Sequence, residues 1–326
     1  MKQIILVGVG AAATLALILP TILHKGEGIL HLPDVLAETA PTMLFVGDIM
    51  LDRDVARHRR AAGAPALFGG VQDIFAKHDL IVGNLEGTIT DNPSVSEVDN
   101  TILRFTFEPV VAQILRDAGI SAVSLANNHA LDFGEFGYDD TRYHLDQAGI
   151  ASFGSPFNDT QLALQKSVHD KNFCFVGYHE LFRKDPTKVI EKILEIEPTC
   201  DYTTLFAHWG VEYEHMPSAS QQELARLFVD AGADVVIGAH PHVVQTLEVY
   251  NNVAIFYSLG NFVFDQGWKS DVKRGAMVSV EFADHETRFE LIPVNTYLEA
   301  TIANEEVSAA VLADLGIDSP TFVLKK

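Results

Sequence analysis

The chain has 326 residues, enough for one large domain or two small ones, and 48% of them are hydrophobic, which is ample for a full core. Its 44 acidic residues outnumber its 23 basic residues, so the formal net charge is -21. This balance excludes a general nucleic-acid binder, because contacts to phosphates need a basic face. An anionic substrate would have to be attracted locally, by a bound metal.

The first predicted element is an apolar N-terminal segment. Residues 4–23 carry no charge and are long enough to cross a bilayer as a transmembrane helix. We interpret residues 1–25 as an uncleaved single-pass membrane anchor. The alternative is a secretory signal cleaved near Val35-Leu36-Ala37. The anchor predicts a protein of the cell membrane whose globular domain lies outside the cytoplasm.

After a linker at residues 26–41, five apolar runs each lead into side chains that can bind a metal. Each run is short and apolar, which suits a buried strand. The runs are 43–48 with Asp48, 79–86 with Asn84 and Glu86, 120–129 with Asn127, Asn128 and His129, 203–210 with His208, and 233–239 followed by His240 and His242. A mostly parallel sheet would gather these strand ends along one edge. The alternative is that the polar residues only cap strands and start turns.

The segments between these runs predict helices and a loop. Apolar spacing predicts helices at 108–118, 135–148 and 220–231. Ser220 and Glu223 form a capping-box pattern at the start of the third helix. The polar stretch 91–101 predicts a surface loop near the metal edge. The two cysteines, Cys174 and Cys200, either form one disulfide outside the cytosol or remain buried thiols.

Strand patterns dominate the rest of the chain. They predict strands at 233–239, 244–250, 253–259, 276–283 and 287–294. The last strands have hairpin spacing, so we expect an antiparallel portion near the C-terminus. The main domain would span residues 42–296, and residues 297–326 would form a C-terminal extension with a small helix and a tail.

The ordered motifs of this chain resemble a known family. They are GD (47–48), NLE (84–86), NNH (127–129), HWG (208–210), GAHPH (238–242) and SLGNF (258–262). The set resembles the bacterial poly-γ-glutamate capsule-synthesis family, the CapA-type proteins, which is similar to the calcineurin-like metallophosphoesterases. The resemblance covers residues 42–266 and implies an α/β fold, a four-layer αββα metallophosphoesterase-like sandwich with a dinuclear metal site at the strand ends.

The resemblance also implies roles for single residues. Two divalent ions, drawn from Mn, Fe, Zn or Co because the donors are carboxylate, amide and imidazole, would be held by Asp48, Glu86, Asn128, His208, His240 and His242. Asp48, Glu86 and His242 would hold one ion, and the others would join Glu86, the bridging ligand, on the second ion. His129 would be the catalytic general acid. Residues expected to bind substrate near the site are Asn84, Asn127 and Asn261.

The sequence departs from the metallophosphoesterase pattern at two positions. That pattern begins with Asp-x-His, but Met50 follows Asp48 and Ile49 here, so the first ion would lose an imidazole and bind more weakly. Asp52 could compensate, although a helix-start carboxylate is the simpler explanation. Glu86 stands where the bridging residue is usually Asp, which requires a slightly wider site.

The resemblance implies a membrane-anchored, metal-dependent, hydrolase-like protein of capsule or poly-γ-glutamate biosynthesis. It would process, release or help export the polymer beside an ATP-using synthase or ligase subunit, because the chain lacks a G-x-x-x-x-G-K-[ST] loop. Expected partners are poly-γ-glutamate or another anionic polymer, the membrane and synthase subunits. Two alternatives stay open: a non-catalytic scaffold or polymer-binding subunit of the synthase complex, and a general metal-dependent phosphodiesterase.

Overall fold

The computed structural model describes residues 40–325, which form an α/β sandwich. Its helices are α1 (Arg53–Ala62), α2 (Gln72–Phe75), α3 (Val110–Ala118), α4 (Gly134–Gln147), α5 (Thr187–Ile196), α6 (Ala219–Asp230) and α7 (Glu305–Leu315). Its strands are β1 (Thr42–Ile49), β2 (Leu80–Leu85), β3 (Thr88–Ile89), β4 (Thr106–Phe107), β5 (Ala122–Ser124), β6 (Ala151–Phe153), β7 (Ala163–Val168), β8 (Lys171–His179), β9 (Tyr202–His208), β10 (Val235–Ala239), β11 (Leu247–Tyr250), β12 (Val253–Phe256), β13 (Asn261–Val263), β14 (Arg274–Phe282), β15 (Glu286–Asn295), β16 (Thr301–Ile302) and β17 (Thr321–Lys325).

Parallel strands form one half of the first sheet, which has nine strands. Seven of them follow the order β16-β15-β14-β1-β2-β5-β6, while β13 lies beside β1 and β17 beside β15. Strands β1, β2, β5 and β6 run parallel. Strands β14 and β15 form an antiparallel hairpin, which confirms the prediction for the C-terminal portion. The carboxyl ends of β1, β2 and β5 therefore meet at one edge.

The second sheet has six strands and also combines parallel with antiparallel pairs. Their order is β11-β12-β10-β9-β8-β7, with a parallel centre and antiparallel outer pairs. His208 at the end of β9 lies opposite Ala239 of β10 on one side and His179 of β8 on the other. Three neighbouring strands thus end at the same level, beside the corresponding edge of the first sheet.

Three apolar clusters separate the layers of the sandwich. The cluster between the two sheets joins Phe45 of β1 to Phe175 of β8. A second cluster packs Leu44 of β1 against Val55 of α1, and a third packs Phe228 of α6 on the outer face of the second sheet. Leu44 and Phe45 serve different clusters because successive side chains of a strand point to opposite faces. The predicted mixed α/β sandwich is confirmed.

The start of α6 differs from the prediction. Ser218 caps the helix: its Oγ accepts a hydrogen bond from Gln221 N at 3.2 Å, and Gln221 Oε1 accepts one from Ser218 N at 2.9 Å. The capping box predicted at Ser220 and Glu223 is wrong. The Ser220 hydroxyl instead donates to Glu180 at 3.0 Å, and Gln serves as well as Glu in the reciprocal position.

The run predicted as a strand at 120–129 is extended only within β5. Beyond Ser124 the chain turns, and the Asn127 side chain bonds one local backbone group and one at the end of β2. Asn127 Nδ2 donates to Leu85 O at 2.8 Å, and Asn127 Oδ1 accepts from His129 N at 3.1 Å. Such side-chain bonds compete with the strand ladder, so the polar end of the run forms a turn.

A disulfide joins Cys174 of β8 to Cys200, with their Cα atoms 5.9 Å apart. Of the two alternatives for these cysteines, the structure has the paired form. Near the C-terminus, β17 pairs with β15, and Val311 and Leu315 of α7 pack into the cluster between the sheets. The segment 297–326, which the sequence sets apart as an extension, therefore contributes a strand and a helix to the sandwich.

The predicted membrane anchor at residues 4–23 lies outside the described residues, as does almost all of the linker at residues 26–41. None of the helices between residues 40 and 325 combines the length and the apolar character that a bilayer crossing requires.

Candidate metal centre

The carboxyl ends of parallel strands from both sheets converge on one group of buried side chains. In the first sheet, Asp48 of β1 lies opposite Asn84 of β2, and Glu86 follows β2. In the second sheet, His208 ends β9 and His240 follows β10. All five side chains are buried. The structure thus brings together residues that are up to 192 positions apart in sequence.

Two sets of three side chains could each hold an ion. Asp48, Glu86 and His208 present ligand atoms within 4.8 Å of one another, and Glu212, His240 and His242 form a second set. This grouping differs from the division expected from the sequence, in which His242 shares an ion with Asp48 and Glu86; that division stays a prediction. The sets are adjacent, because His242 Nε2 lies 3.7 Å from Glu86 Oε1 and the His208 and His240 rings are 4.7 Å apart. Asn128 joins the first set, with Oδ1 2.7 Å from His208 Nε2.

The fit to a cation rests on buried atoms that lack partners. Within residues 40–325, the two carboxylate oxygens of Glu86 have no hydrogen-bond partner, and the Nδ1 atom of His240 has none either. Burying a carboxylate without a partner is costly. Burial first, and then the nearby charge of Asp48, raises the pKa of Glu86 well above its ordinary value. A divalent ion would supply the missing partner and keep Glu86 ionised, so the donor set fits such an ion.

The histidines of the centre differ in charge. Burial and the neighbouring His240 lower the pKa of His208 well below its usual value, and burial lowers the pKa of His240 to about 2. Burial also opposes the charged form of His242, but Glu86 and Asp48 outweigh it and raise the pKa of His242 to about 9. His208 and His240 are therefore neutral, the form that binds metals. His242 has to release its proton when an ion takes its place.

The GAHPH turn directs two imidazoles toward the centre because two of its residues have uncommon backbone dihedral angles. His240 has φ 96° and His242 has φ 59°, both in the left-handed region that side chains with a Cβ seldom adopt. Asp48 Oδ2 accepts a hydrogen bond from His240 N at 3.2 Å and so holds the turn. At Gly238 an added Cβ would lie 1.9 Å from the carbonyl oxygen of Tyr257, so only glycine fits there.

The predicted substrate-binding asparagines lie behind the ligands. Asn84 Nδ2 donates to Asp48 Oδ1 at 2.7 Å, and Asn127 Nδ2 donates to Asn84 Oδ1 at 3.0 Å. Asn261 Oδ1 lies 3.0 Å from His242 Nδ1 and leaves Nε2 of that ring directed to Glu86. All three amides are buried and bonded to protein groups. They orient ligands, as outer hydrogen-bond partners do in metal sites, and their contact with substrate stays a prediction.

His129 lies at the border between the centre and solvent. Its Nδ1 is 2.8 Å from Asp132 Oδ2, its Nε2 is 3.8 Å from Glu86 Oε1, and its ring stacks on Phe105 at 4.2 Å. Asp132 is not among the residues predicted from the sequence, although it lies only three residues beyond His129 in the run NNHALD. A carboxylate on one ring nitrogen fixes the tautomer of an imidazole and stabilises its charged form.

A cleft of about 280 Å³ opens over the centre. Its wall includes His129 and His242 together with three residues that are not among the predicted site residues, Glu212, Tyr213 and Arg53. Glu212 is the third member of the second ligand set and follows His208 in the run HWGVE, so its proximity to that motif was the available signal.

Met50 occupies the position of the absent imidazole and is buried in the apolar cluster beside α1. Its Sδ accepts a hydrogen bond from Asp52 N at 3.1 Å. Asp52 caps α1, since its oxygens accept from Arg53 N at 2.7 Å and Thr106 N at 3.0 Å. Both Asp52 oxygens are engaged by backbone groups, so Asp52 acts at the helix start and does not replace the imidazole.

Comparisons with known proteins agree with the motifs. Residues 42–266 match the model of the family described as bacterial capsule synthesis protein PGA_cap. The chain is 36% identical to the PGA biosynthesis protein CapA of Bacillus subtilis (strain 168), over 79% of this chain and 72% of that protein. It is 32% identical to the capsule biosynthesis protein CapA of Bacillus anthracis, over 78% of this chain and 67% of that protein.

Among solved structures, a phosphatase of Mycoplasma pneumoniae aligns with a TM-score of 0.44 and 12% identity, over 83% of this chain and 96% of that one. The family match extends from β1 to residue 266, just beyond SLGNF, and includes all six motifs singled out in the sequence. The predicted family is confirmed, and the chain belongs to the bacterial capsule synthesis protein family PGA_cap.

Proposed function

We propose that this chain is a metal-dependent, hydrolase-like enzyme that cleaves poly-γ-glutamate or another anionic polymer during capsule biosynthesis. The observation that carries the proposal is the environment of Glu86. Its carboxylate is fully buried, has no hydrogen-bond partner within residues 40–325, and is surrounded by side chains that bind metals. A purely structural carboxylate in such a place would be expected to have a partner.

Two divalent ions bound by Asp48, Glu86, Asn128, His208, His240 and His242 would supply an activated water and offset negative charge on the reacting group. The protein's own residues complete the chemistry. Asp132 Oδ2 holds Nδ1 of His129 at 2.8 Å, which leaves Nε2 on the side of the cleft as the atom that delivers a proton to the leaving group. Phe105, whose ring stacks on His129 at 4.2 Å, and Phe264 line the same cleft and form its apolar wall beside this imidazole.

The relatives named for capsule and PGA biosynthesis support a polymer substrate. In the proposed pathway an ATP-using synthase or ligase makes the polymer, and this protein processes, releases or helps export the polymer. Residues 4–23 would anchor the protein as a single transmembrane helix with the domain outside the cytoplasm. The Cys174–Cys200 disulfide supports this location, because disulfides persist in oxidising compartments.

The test uses the full-length protein, stripped with a chelator and reloaded separately with Mn, Fe, Zn or Co. Metal content is measured by mass spectrometry and polymer length by size-exclusion chromatography. We expect bound metal and metal-dependent shortening of poly-γ-glutamate. Absence of any bound transition metal after reloading contradicts the proposal. Tight polymer binding without cleavage would favour the scaffold, and turnover of a nitrophenyl phosphodiester alone would favour a general phosphodiesterase.

A further inference from the structure

A single arginine at the wall of the cleft has features of an anion-binding residue. Arg53 begins α1, immediately after the cap residue Asp52, and its backbone has φ 52°. This left-handed conformation is strained for a residue with a side chain, and such strain is concentrated at functional sites. The conformation directs the side chain inward: only 10% of it is exposed, and it lines the cleft beside His129 and His242.

The guanidinium of Arg53 is held on two sides. Asp265 accepts hydrogen bonds from Nε at 3.0 Å and from Nη2, and Asp265 also accepts one from Asp54 N at 3.2 Å. The guanidinium carbon lies 4.7 Å from the ring centre of Phe105 and 5.9 Å from that of Phe264. A two-point bond to a carboxylate and stacking on aromatic rings together fix the plane of the group.

The same two rings connect Arg53 to the metal centre. Phe105 stacks on His129 at 4.2 Å, and Phe264 contacts His242 at 5.0 Å. Arg53 is thus one aromatic ring away from each imidazole that approaches Glu86. Arg53 and His129 line the same cleft, so one bound molecule can contact both.

One edge of the guanidinium remains available. The hydrogen bonds of Arg53 to Asp265 use Nε and Nη2, and Nη1 takes no part in them. The other arginine of the cleft differs, because Nε and Nη2 of Arg57 donate to Asp54 and its Nη1 donates to the carbonyl of Glu97. Arg57 is also about half exposed, at 47%. Arg53 is therefore the cleft cation with a fixed plane and a free donor edge.

We propose that Arg53 is the substrate-binding residue that recognises an anionic group of two oxygens next to the metal centre. The shared chemistry is that of a carboxylate or a phosphate; in the polymer it would be an α-carboxylate beside the bond that is cleaved. This assignment of the substrate group rests on the proposed function. The binding of an anion by Arg53 can be tested without it.

The experiment compares the metal-loaded, full-length native protein with Arg53→Gln, Arg53→Lys and the control Arg60→Gln, which alters an arginine of the same helix outside the cleft. The probes are a γ-glutamyl decamer, the same decamer with amidated α-carboxylates, and inorganic phosphate. Turnover gives KM and kcat for both decamers, and calorimetry gives the Kd for phosphate. Metal content and thermal unfolding are measured for each variant.

We expect Arg53→Gln to raise KM for the acidic decamer about 10- to 100-fold with a smaller effect on kcat, because a charged two-point bond is lost. The amidated decamer should be a poor substrate of the native protein, and Arg53→Gln should leave its KM and kcat unchanged. Arg53→Lys keeps the charge beside Asp265, so its KM for the acidic decamer should lie between those of the native protein and Arg53→Gln. It serves as the test if Arg53→Gln does not fold. Arg60→Gln should match the native protein.

The outcomes separate the two proposals. If the decamer is not cleaved by the native protein but phosphate binding is weakened at least tenfold in Arg53→Gln, the anion site stands and polymer hydrolysis fails. If folded, metal-loaded Arg53→Gln and Arg53→Lys match the native protein with both the acidic decamer and phosphate, Arg53 is not the anion-binding residue. Equal KM values of the native protein for the acidic and amidated decamers overturn the assignment to an α-carboxylate.

Discussion

Asp132 Oδ2 lies 2.8 Å from Nδ1 of His129 and 2.6 Å from the backbone nitrogen of Phe105, the residue whose ring stacks on the same imidazole. One carboxylate thus fixes both the tautomer of His129 and the aromatic surface behind it. This arrangement orients Nε2 toward the cleft and links the catalytic prediction for His129 to a residue outside the motif.

Asp132→Asn is expected to lower kcat for polymer cleavage about 10- to 100-fold, because a neutral amide removes the negative charge that faces the His129 ring. An Asn oxygen can still accept the bond from Phe105, so the fold should survive. Asp139→Asn, an exposed carboxylate on α4, is the control. Kinetics and thermal unfolding provide the measurements. A normal kcat in a correctly folded Asp132→Asn protein would show that the pair is not used in proton transfer.

His129→Ala is expected to lower kcat about 100- to 10,000-fold, the usual contribution of a general acid, while metal content stays at the native level. His129 is outside both sets of metal ligands, which is why the two effects should separate. The measurements are polymer shortening and metal analysis on the same preparation. Unchanged polymer processing by this variant would favour the scaffold alternative.

Glu86→Gln is expected to abolish metal binding yet to leave the metal-free protein at least as stable as the native one, because a neutral amide avoids a buried, unsatisfied carboxylate. Native protein should gain roughly 3 kcal/mol of unfolding free energy when free metal is about 100 times its Kd. Glu86→Gln should gain nothing. Urea denaturation with and without metal tests both statements. A metal-dependent increase in the unfolding free energy of the variant would show that Glu86 is not a metal ligand.

Replacing both Cys174 and Cys200 by Ala is expected to reduce the free energy of unfolding by about 3 kcal/mol, since the disulfide closes a loop of 26 residues. The metal centre should be unaffected: Cys174 lies opposite Thr203 near the start of β9, whereas His208 ends that strand. Denaturation of the oxidised native protein and the double variant measures the loss. Altered metal affinity in the double variant would contradict this separation.

Much of the metal centre could be predicted because its ligands follow apolar strands. Asp48, Glu86 and His208 stand at strand ends, and parallel pairing brings such ends to one edge. The capping of α6 was less predictable, because Ser218 and Ser220 both offer an N-cap hydroxyl and only the tertiary contact with Glu180 distinguishes them.

The wall of the cleft could not be predicted in the same way. Arg53 meets Asp265 across 212 positions of sequence, and no periodic pattern encodes that pairing. The left-handed backbone of His240 and His242 is equally a product of tertiary contacts, including the bond from His240 N to Asp48. Residues held by distant partners carry little local signal, even when they complete a site.

The candidate ligands come from both sheets: Asp48 and Glu86 from the first, His208 and His240 from the second. An ion bound between them would link the N-terminal half of the described chain to the later half and so stabilise the contact between the two sheets. Metal supply would then govern more than turnover. In a protein that folds without enough metal, the contact between the two sheets would be less stable. Such a protein would unfold and be degraded by proteases more readily, so less of it would be present where the capsule is assembled.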